Sequence, residues 1–306
     1  MEIGLVGLGR MGGNMARRLA RGGVRVVGYD PDSGVREALH AEGVIAEVAS
    51  LIDLGKALAP PRIVWLMVPA GRVTELAVQD VWPELARGDV IVDGGNANYK
   101  DSQRRAVALS SAGLHFVDCG VSGGVWGLDN GYALMFGGSD EAARLIEPYA
   151  RILAPAPDRG WLHCGPSGSG HFVKMIHNGI EYGMMQAMAE GFALLEGKKE
   201  FDLDLAAVAE SWRHGSVVRS WLLDLTADFL RDDATLTGIA PIVADSGEGR
   251  WTVNEAIEQG VAAPVLALAL MSRFDSQGNA DFGNRMLAMM RRAFGGHAVT
   301  RGQSDA

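Results

Sequence analysis

The sequence predicts a doubly wound α/β domain followed by an all-α domain. Three observations carry this. The chain opens with an apolar strand, a G-x-G-x-x-G turn and an amphipathic helix in immediate succession. Apolar strand-like runs then alternate with helix-like runs as far as residue 118. Past a Pro- and Gly-rich break, strand alternation stops and long helical patterns take over. With 306 residues the chain has length for two cores, and the break places the domains at 1–165 and 166–306.

The opening strand is Glu2-Ile3-Gly4-Leu5-Val6, the turn Gly7-Leu8-Gly9-Arg10-Met11-Gly12, and the helix continues through Asn14–Leu19. Gly7 permits the tight turn, Gly9 the close approach of a pyrophosphate, and Gly12 tight helix–strand packing. The phosphates meet the N-terminal N–H groups of the helix, where the dipole favours negative charge. In a chain with 41 glycines the turn alone is weak evidence. The flanking strand and helix make it a specific Rossmann-type dinucleotide signature. The second strand, Val24–Tyr29, ends at Asp30, about 20 residues beyond the glycines, where a carboxylate accepts from the adenine ribose hydroxyls and repels a 2′-phosphate. The next arginine is Arg36, so the pattern favours NAD over NADP. The alternative is that Asp30 simply opens the Asp30-Pro31-Asp32 turn.

Residues 62–68 form a continuous apolar run, as a strand covered on both faces should, and lead into Val68-Pro69-Ala70. A helix pattern covers 73–86. The next strand, 89–92, ends at Asp93-Gly94-Gly95-Asn96, and a helix over 100–112 and a strand over 114–118 follow. Ligands of such sheets bind beyond the carboxyl ends of the strands, which nominates Val68, Pro69, Ala70 and Asn96. Ser122-Gly123-Gly124 offers a hydroxyl and two unobstructed N–H groups to an oxyanion, and reads equally well as an ordinary turn.

After the break, Lys174, His177, Asn178, Glu181 and Tyr182 fall at offsets of 0, +3, +4, +7 and +8. On a helix these occupy one stripe roughly 140° wide. The other positions are Val173, Met175, Ile176, Gly179 and Ile180, and the helix continues into Met184-Met185. A largely apolar helix with one polar stripe lines a polar cavity, the alternative being a solvated face. Lysine is scarce here (Lys56, Lys100, Lys174, Lys198, Lys199), so one set among apolar neighbours stands out. Segments 184–196, 203–212, 216–231 and 261–272 also read as helices. The tail carries Arg273, Arg285, Arg291 and Arg292, which serve as a dipole complement or as anion binders. Arg250 is a further candidate.

A net charge of −9 without a basic run argues against nucleic-acid binding. Cys119 and Cys164 are far apart and outside any metal or redox spacing, which predicts free thiols, a reducing compartment and no metal site. No apolar run is long enough to span a membrane and the first residues lack a basic n-region. A cytoplasmic location is expected.

These motifs, together with Asp245-Ser246-Gly247, Trp251-Thr252 and Phe294-Gly295-Gly296-His297, make the chain resemble the decarboxylating 6-phosphogluconate dehydrogenases, in their short bacterial form rather than the longer NADP-dependent one. The match spans nearly the whole chain. The resemblance implies Lys174 as general base and Glu181 as general acid. It implies that Asn96, Ser122, Gly123, Gly124, His177, Asn178, Tyr182 and Arg273 hold a phosphorylated sugar acid, and that Arg250 stands where the longer enzymes place a phosphate-binding lysine. Arg291 and His297 match residues supplied by a partner subunit, so a homo-oligomer, at least a dimer, is expected. Val125 and Met184 depart from the longer members, which carry acids there.

The implied chemistry suits the stripe. Oxidation of a 3-hydroxyl needs a base for its proton, and burial favours the neutral amine that a lysine base requires. The resulting 3-keto acid loses CO2 readily, and an acid on the same helix face can protonate the enediol. Two alternatives remain from sequence: a β-hydroxyacid or related sugar-acid dehydrogenase without decarboxylation, which needs the lysine but not Glu181 or His297, and a nucleotide-sensing protein without turnover, which needs neither of the pair.

Overall fold

The computed structural model describes residues 1–295 and 298–300. It divides into two compact units, Met1–His177 and Asn178–Ala306.

In the first unit, β1 (Glu2–Val6), α1 (Arg10–Arg21), β2 (Arg25–Tyr29), α2 (Ser33–Ala41), β3 (Ala46–Glu47) and α3 (Leu51–Lys56) make the first half of the winding. The second half runs through β4 (Ile63–Leu66), α4 (Arg72–Val81), β5 (Val90–Asp93), α5 (Tyr99–Ser110) and β6 (His115–Ser122). The chain then adds α6 (Gly127–Asn130), β7 (Ala133–Gly137), α7 (Asp140–Leu153) and β8 (Trp161–Gly165). The strand order is β3-β2-β1-β4-β5-β6-β7-β8. All pairs are parallel except β6–β7, which is antiparallel.

The continuous apolar runs follow from this burial. Side chains alternate across a strand, so Ile63 and Trp65 enter one core with Met15 and Leu19 of α1 and Ile146 and Tyr149 of α7. Val64 and Leu66 enter the other, with Leu54 of α3, Val78 of α4 and Leu109 of α5. Helix starts carry the expected caps: the Asp32, Ser50, Asn98 and Ser139 side chains accept N–H groups of α2, α3, α5 and α7. Arg18 of α1 donates to the carbonyls of Leu128, Ile152 and Ala154 at 2.6–3.1 Å. One guanidinium thus fastens the later α6–α7 segment to the first helix.

The sequence patterns end near residue 118, whereas β6 continues to Ser122 and pairs with β7. Strands β7 and β8 are five residues each and end at Gly137 and Gly165, so they carry little periodicity of their own.

Helix α8 (Ser169–Gly197) begins in the first unit and runs without interruption into the second. In the second unit it is followed by α9 (Leu205–Arg213), α10 (Trp221–Asp232), α11 (Glu248–Gln259), α12 (Pro264–Ser276) and α13 (Asp281–Gly295). Two small cores form there. Ala209, Leu223, Ala227 and Leu230 pack with Met188 and Phe192 of α8, and Tyr182 packs with Val253, Ala269, Leu270 and Phe274. Glycines of α8 permit close approach: a Cβ on Gly179 would overlap the Thr252 side chain of α11, and one on Gly183 would press on Val265 and Leu266 of α12. Among the described residues no helix is long and apolar enough to cross a membrane.

A buried charge pair holds the loop after β5. Asp93 accepts the N–H of Gly95 at 3.1 Å and the Nη1 of Arg105 at 2.9 Å. Arg105 is itself buried and donates through Nε to Glu75 of α4 at 2.9 Å. Removing one member of such a pair leaves the other charge uncompensated, which costs about 3–5 kcal/mol. Arg105→Met is therefore expected to lower unfolding stability by that amount, measured from the urea midpoint and slope. A loss below about 1 kcal/mol would show that Asp93 does not depend on Arg105 for its charge.

Candidate active site

The start of α8 is built against the ends of β6 and β7. The Asp118 carboxylate accepts the Gly168 N–H at 2.5 Å and the His171 N–H at 2.7 Å. It therefore caps the helix from a strand some fifty residues earlier. Burial raises the Asp118 pKa, and the His171 charge and these N–H donors oppose that rise. Contact is close because the interface is glycine. A Cβ on Gly120 would overlap the Lys174 side chain, and one on Gly170 would overlap the Asp118 carbonyl.

This docking sets Lys174, which is 8% exposed. Its Nζ lies 3.4 Å from His177 Nδ1, and His177 Nε2 lies 3.5 Å from Ser122 Oγ. The chain Lys174–His177–Ser122 is consistent with a neutral imidazole that accepts the lysine N–H at Nδ1 and donates from Nε2. The three residues come from the end of β6 and two successive turns of α8.

The helix is inverted relative to an ordinary amphipathic one. Lys174, Asn178 and Tyr182 are 7–9% exposed, whereas Val173, Ile180, Met184 and Met185 are 36–50% exposed. The polar stripe is the buried face, which excludes the solvated-face alternative.

At the carboxyl end of β1, an interior strand, the glycine turn has the shape that a dinucleotide requires. Gly7 has φ +85°, and a Cβ on Gly12 would overlap the Gly7 carbonyl. Gly9 caps α1 with no side-chain bond, and a Cβ there would meet nothing within 4 Å. The first turn of α1, which includes Arg10 and Met11, holds no acidic residue and has no side-chain cap, and an anion is favoured at such a helix start. Asp30 Oδ2 accepts the Leu8 N–H at 2.7 Å and Oδ1 the Asp32 N–H at 3.0 Å, so the carboxylate is fixed beside the turn. Both sequence readings of Asp30 meet here, since the residue also organises its own turn. Arg36 directs its guanidinium to the Asp30 carbonyl at 2.5 Å. These residues fit a dinucleotide.

The loops after β4 and β5 interlock. A Cβ on Gly95 would press on the Val68 carbonyl, and one on Gly94 would overlap Trp65 and Met67. Thr74 donates to the Pro69 carbonyl at 2.9 Å. Val68, Pro69, Ala70 and exposed Asn96 thus lie on adjoining loops at the carboxyl ends of neighbouring strands. Ser122 ends β6, and Gly123 (φ +133°) and Gly124 (φ +53°) follow in backbone conformations that favour glycine.

In the second unit a polar cluster surrounds Tyr182. Its hydroxyl lies 3.4 Å from Asp245 Oδ1 and 3.3 Å from Ser246 Oγ. Arg250 is ion-paired to Asp245 and lies over the Phe274 ring. Arg273 stacks on the Tyr182 ring at 3.4 Å and donates to the Ala244 carbonyl at 2.9 Å. Burial alone would raise the Asp245 carboxyl, but the bonds from Arg250, the Gly247 N–H and Tyr182 hold it below its ordinary value. Glu181 is half-buried on the neighbouring position of α8 and Arg291 is exposed on α13. His297 lies outside the described residues. Among the described residues no group of three or more His, Cys, Asp or Glu is placed to hold a metal ion. Cys119 is fully buried, and burial pushes its thiol well up.

Sequence reasoning missed Asp118, Gly120, Arg105 and Asp245. Asp118 had no local signal, because its partners are far along the chain, and Gly120, at the head of the Gly120–Gly124 motif, showed its role only against Lys174. Asp245 sat inside a quoted motif and showed its role only through its partners.

Comparison with known proteins agrees with this architecture. Residues 2–156 match the family model described as the NAD binding domain of 6-phosphogluconate dehydrogenase, and residues 170–303 match that of the 6-phosphogluconate dehydrogenase C-terminal domain. YqeC of Bacillus subtilis, named for the same family, is 44% identical over 301 residues, covering 98% of this chain and 100% of that protein. The NAD(+)-dependent, decarboxylating 6-phosphogluconate dehydrogenase of Haloferax volcanii is 42% identical over 303 residues, covering 98% and 99%. The structure of Plasmodium falciparum 6-phosphogluconate dehydrogenase superposes with a TM-score of 0.83 at 28% identity, covering 100% of this chain and 67% of that one. With both halves matched, the chain belongs to the 6-phosphogluconate dehydrogenase family.

Proposed function

We propose that the protein oxidatively decarboxylates 6-phosphogluconate to ribulose 5-phosphate and CO2, with NAD as the preferred hydride acceptor. The observation that carries this reading is buried Lys174 on an inverted helix of a family member, linked through half-buried His177 to Ser122 at the end of β6. Lys174, in its neutral form, takes the proton of the substrate's 3-hydroxyl. Bound NAD supplies the acceptor for the hydride that leaves C3. His177 fixes the direction of the Lys174 amine by accepting one of its N–H bonds, which leaves the lone pair for the substrate. The 3-keto acid then breaks its C1–C2 bond, releasing CO2, and protonated Lys174 donates to the oxygen on which the enediolate charge collects. Glu181, seven residues along α8, delivers a proton to the carbon that lost CO2. Asn96, Ser122, Gly123, Gly124, Asn178 and Tyr182 orient the sugar acid, and Arg250 and Arg273 hold its phosphate.

The decisive assay supplies 6-phosphogluconate with either cofactor and follows NADH and CO2 together. Equal amounts of both are expected. Reduced cofactor without CO2 would instead identify a sugar-acid dehydrogenase that does not decarboxylate. Lys174→Met is expected to lower kcat by about 10²–10⁴-fold while NAD still binds, and Glu181→Gln to lower it by about 10²-fold with little change in substrate KM. Near-normal turnover by either variant would refute the role given to that residue.

The preference for NAD rests on Asp30. Its anchored carboxylate is poised for ribose hydroxyls and opposes a 2′-phosphate, and Arg36 is engaged with the Asp30 carbonyl. We expect kcat/KM to be at least about tenfold higher with NAD than with NADP, the value of one charge-assisted hydrogen bond. Equal values would overturn this reading of Asp30.

The helical unit is proposed to self-associate. Its apolar side chains Ile257, Val261, Leu268, Phe282 and Leu287 are exposed on α11, α12 and α13 and the segment between α11 and α12, and exposed apolar side chains of this kind are what a protein interface buries. Arg291 is exposed on α13, and the family resemblance assigns it to the substrate site of a partner subunit. Light scattering should give at least twice the mass of the 32.5 kDa chain; a monomer at micromolar concentration would exclude a contribution from a second copy.

A further inference from the structure

Arg250 does not stand alone on its helix. It emerges from the first turn of α11, where an arginine is otherwise a long, flexible and well-hydrated side chain, and its side chain is 57% exposed. Two neighbours nevertheless define its position. The Asp245 carboxylate bonds to Nε, and the Phe274 ring of α12 lies 4.4 Å from the guanidinium carbon. A guanidinium has five N–H donors. A bond at Nε leaves the four donors of Nη1 and Nη2 outside that contact, on the edge suited to paired recognition of an oxyanion.

Asp245 is equally well fixed. Its side chain is 4% exposed, and it accepts from the Gly247 N–H at 3.1 Å and from the Tyr182 hydroxyl at 3.4 Å in addition to Arg250. Ser246, beside it, donates to Glu248 at 2.5 Å. A surface ion pair contributes little to stability, and this one has one partner buried and the other exposed. Such an arrangement aims an exposed group more than it supports a core. The same carboxylate touches Tyr182, on whose ring Arg273 stacks, so both guanidinium groups are referred to one small cluster.

We propose that Asp245 is a positioning residue which, with Phe274, presents the terminal nitrogens of Arg250 to the phosphate of the substrate. This rests on the assignment of Arg250 as a phosphate holder. Without the carboxylate the side chain must be ordered anew at each binding event, and the cost appears in substrate affinity while the chemical step is untouched.

The test compares wild type, Asp245→Asn, Phe274→Leu, Arg250→Met and the double variant Asp245→Asn/Arg250→Met. Asp245→Asn should raise KM for 6-phosphogluconate about tenfold and raise the inhibition constant of inorganic phosphate in parallel, with kcat and the KM for NAD within about twofold of wild type. Phe274→Leu, which leaves the carboxylate in place, should raise the same two constants by about threefold and keeps the question open to test should Asp245→Asn fold poorly. In the Arg250→Met background the Asp245 substitution should add less than about twofold, because it acts through the arginine. An unchanged KM in both single variants, or full additivity in the double variant, overturns the proposal. Calorimetric binding of inorganic phosphate to wild type and Asp245→Asn separates this from the functional reading. If wild type does not turn over 6-phosphogluconate yet binds phosphate more tightly than the variant, the assigned reaction fails and the positioning role stands.

Discussion

A lysine beneath the surface must be supplied with partners, and the rest of the first unit can be understood from that demand. An unpartnered buried amine would cost several kcal/mol, so Lys174 comes with His177 and Ser122 in hydrogen-bond reach. Those neighbours are useful only if α8 lies directly on the end of β6. That closeness depends on Gly120 and Gly170, which have no side chains to hold the two elements apart. Asp118 completes the arrangement by capping the helix from the strand. A local amine environment thus depends on a strand, a helix start and two glycines distant in sequence.

The same economy of backbone recurs at the other loops. The glycine turn, the loop after β5 and the start of α8 all bring main chain close to main chain, and each is held by a carboxylate. Asp30 holds the Leu8 N–H, Asp93 the Gly95 N–H, and Asp118 the start of α8. Three acids in or just beyond the strands therefore serve as acceptors for backbone N–H groups of loops and of a helix start, which satisfies donors that would otherwise be lost in a tight fold.

Much of this was legible in the sequence because the signals were local. The turn Gly7–Gly12 needed only its own strand and helix, and the α8 stripe needed only helical periodicity. The doubly wound sheet followed by helices was predicted and is observed. What escaped was set by distant partners. Strand β7 runs antiparallel to β6, and glycines blur its alternation. The cap on α8 comes from a strand, so no capping residue at its start could announce it. Asp245 looks like a turn residue until Tyr182 and Arg250 are seen around it. The predicted boundary at residue 165 marks the break in composition, whereas the compact units part at 177 and 178, within α8. Periodicity within one helix carries no signal of which core each of its turns joins.

The two ends of the sheet have a consequence for assembly. One margin is β3, only two residues long. The other is β8, whose pairing with β7 slips at Phe136/Gly137 and which is followed immediately by Pro166. Neither margin offers a long, regular row of free backbone groups, the feature that lets sheets add strands from other molecules without limit. The apolar helix faces of the second unit are rows of side chains with their backbone bonds already closed. The self-association proposed there would use side chains alone, and an isologous contact of that kind closes on itself as a finite oligomer.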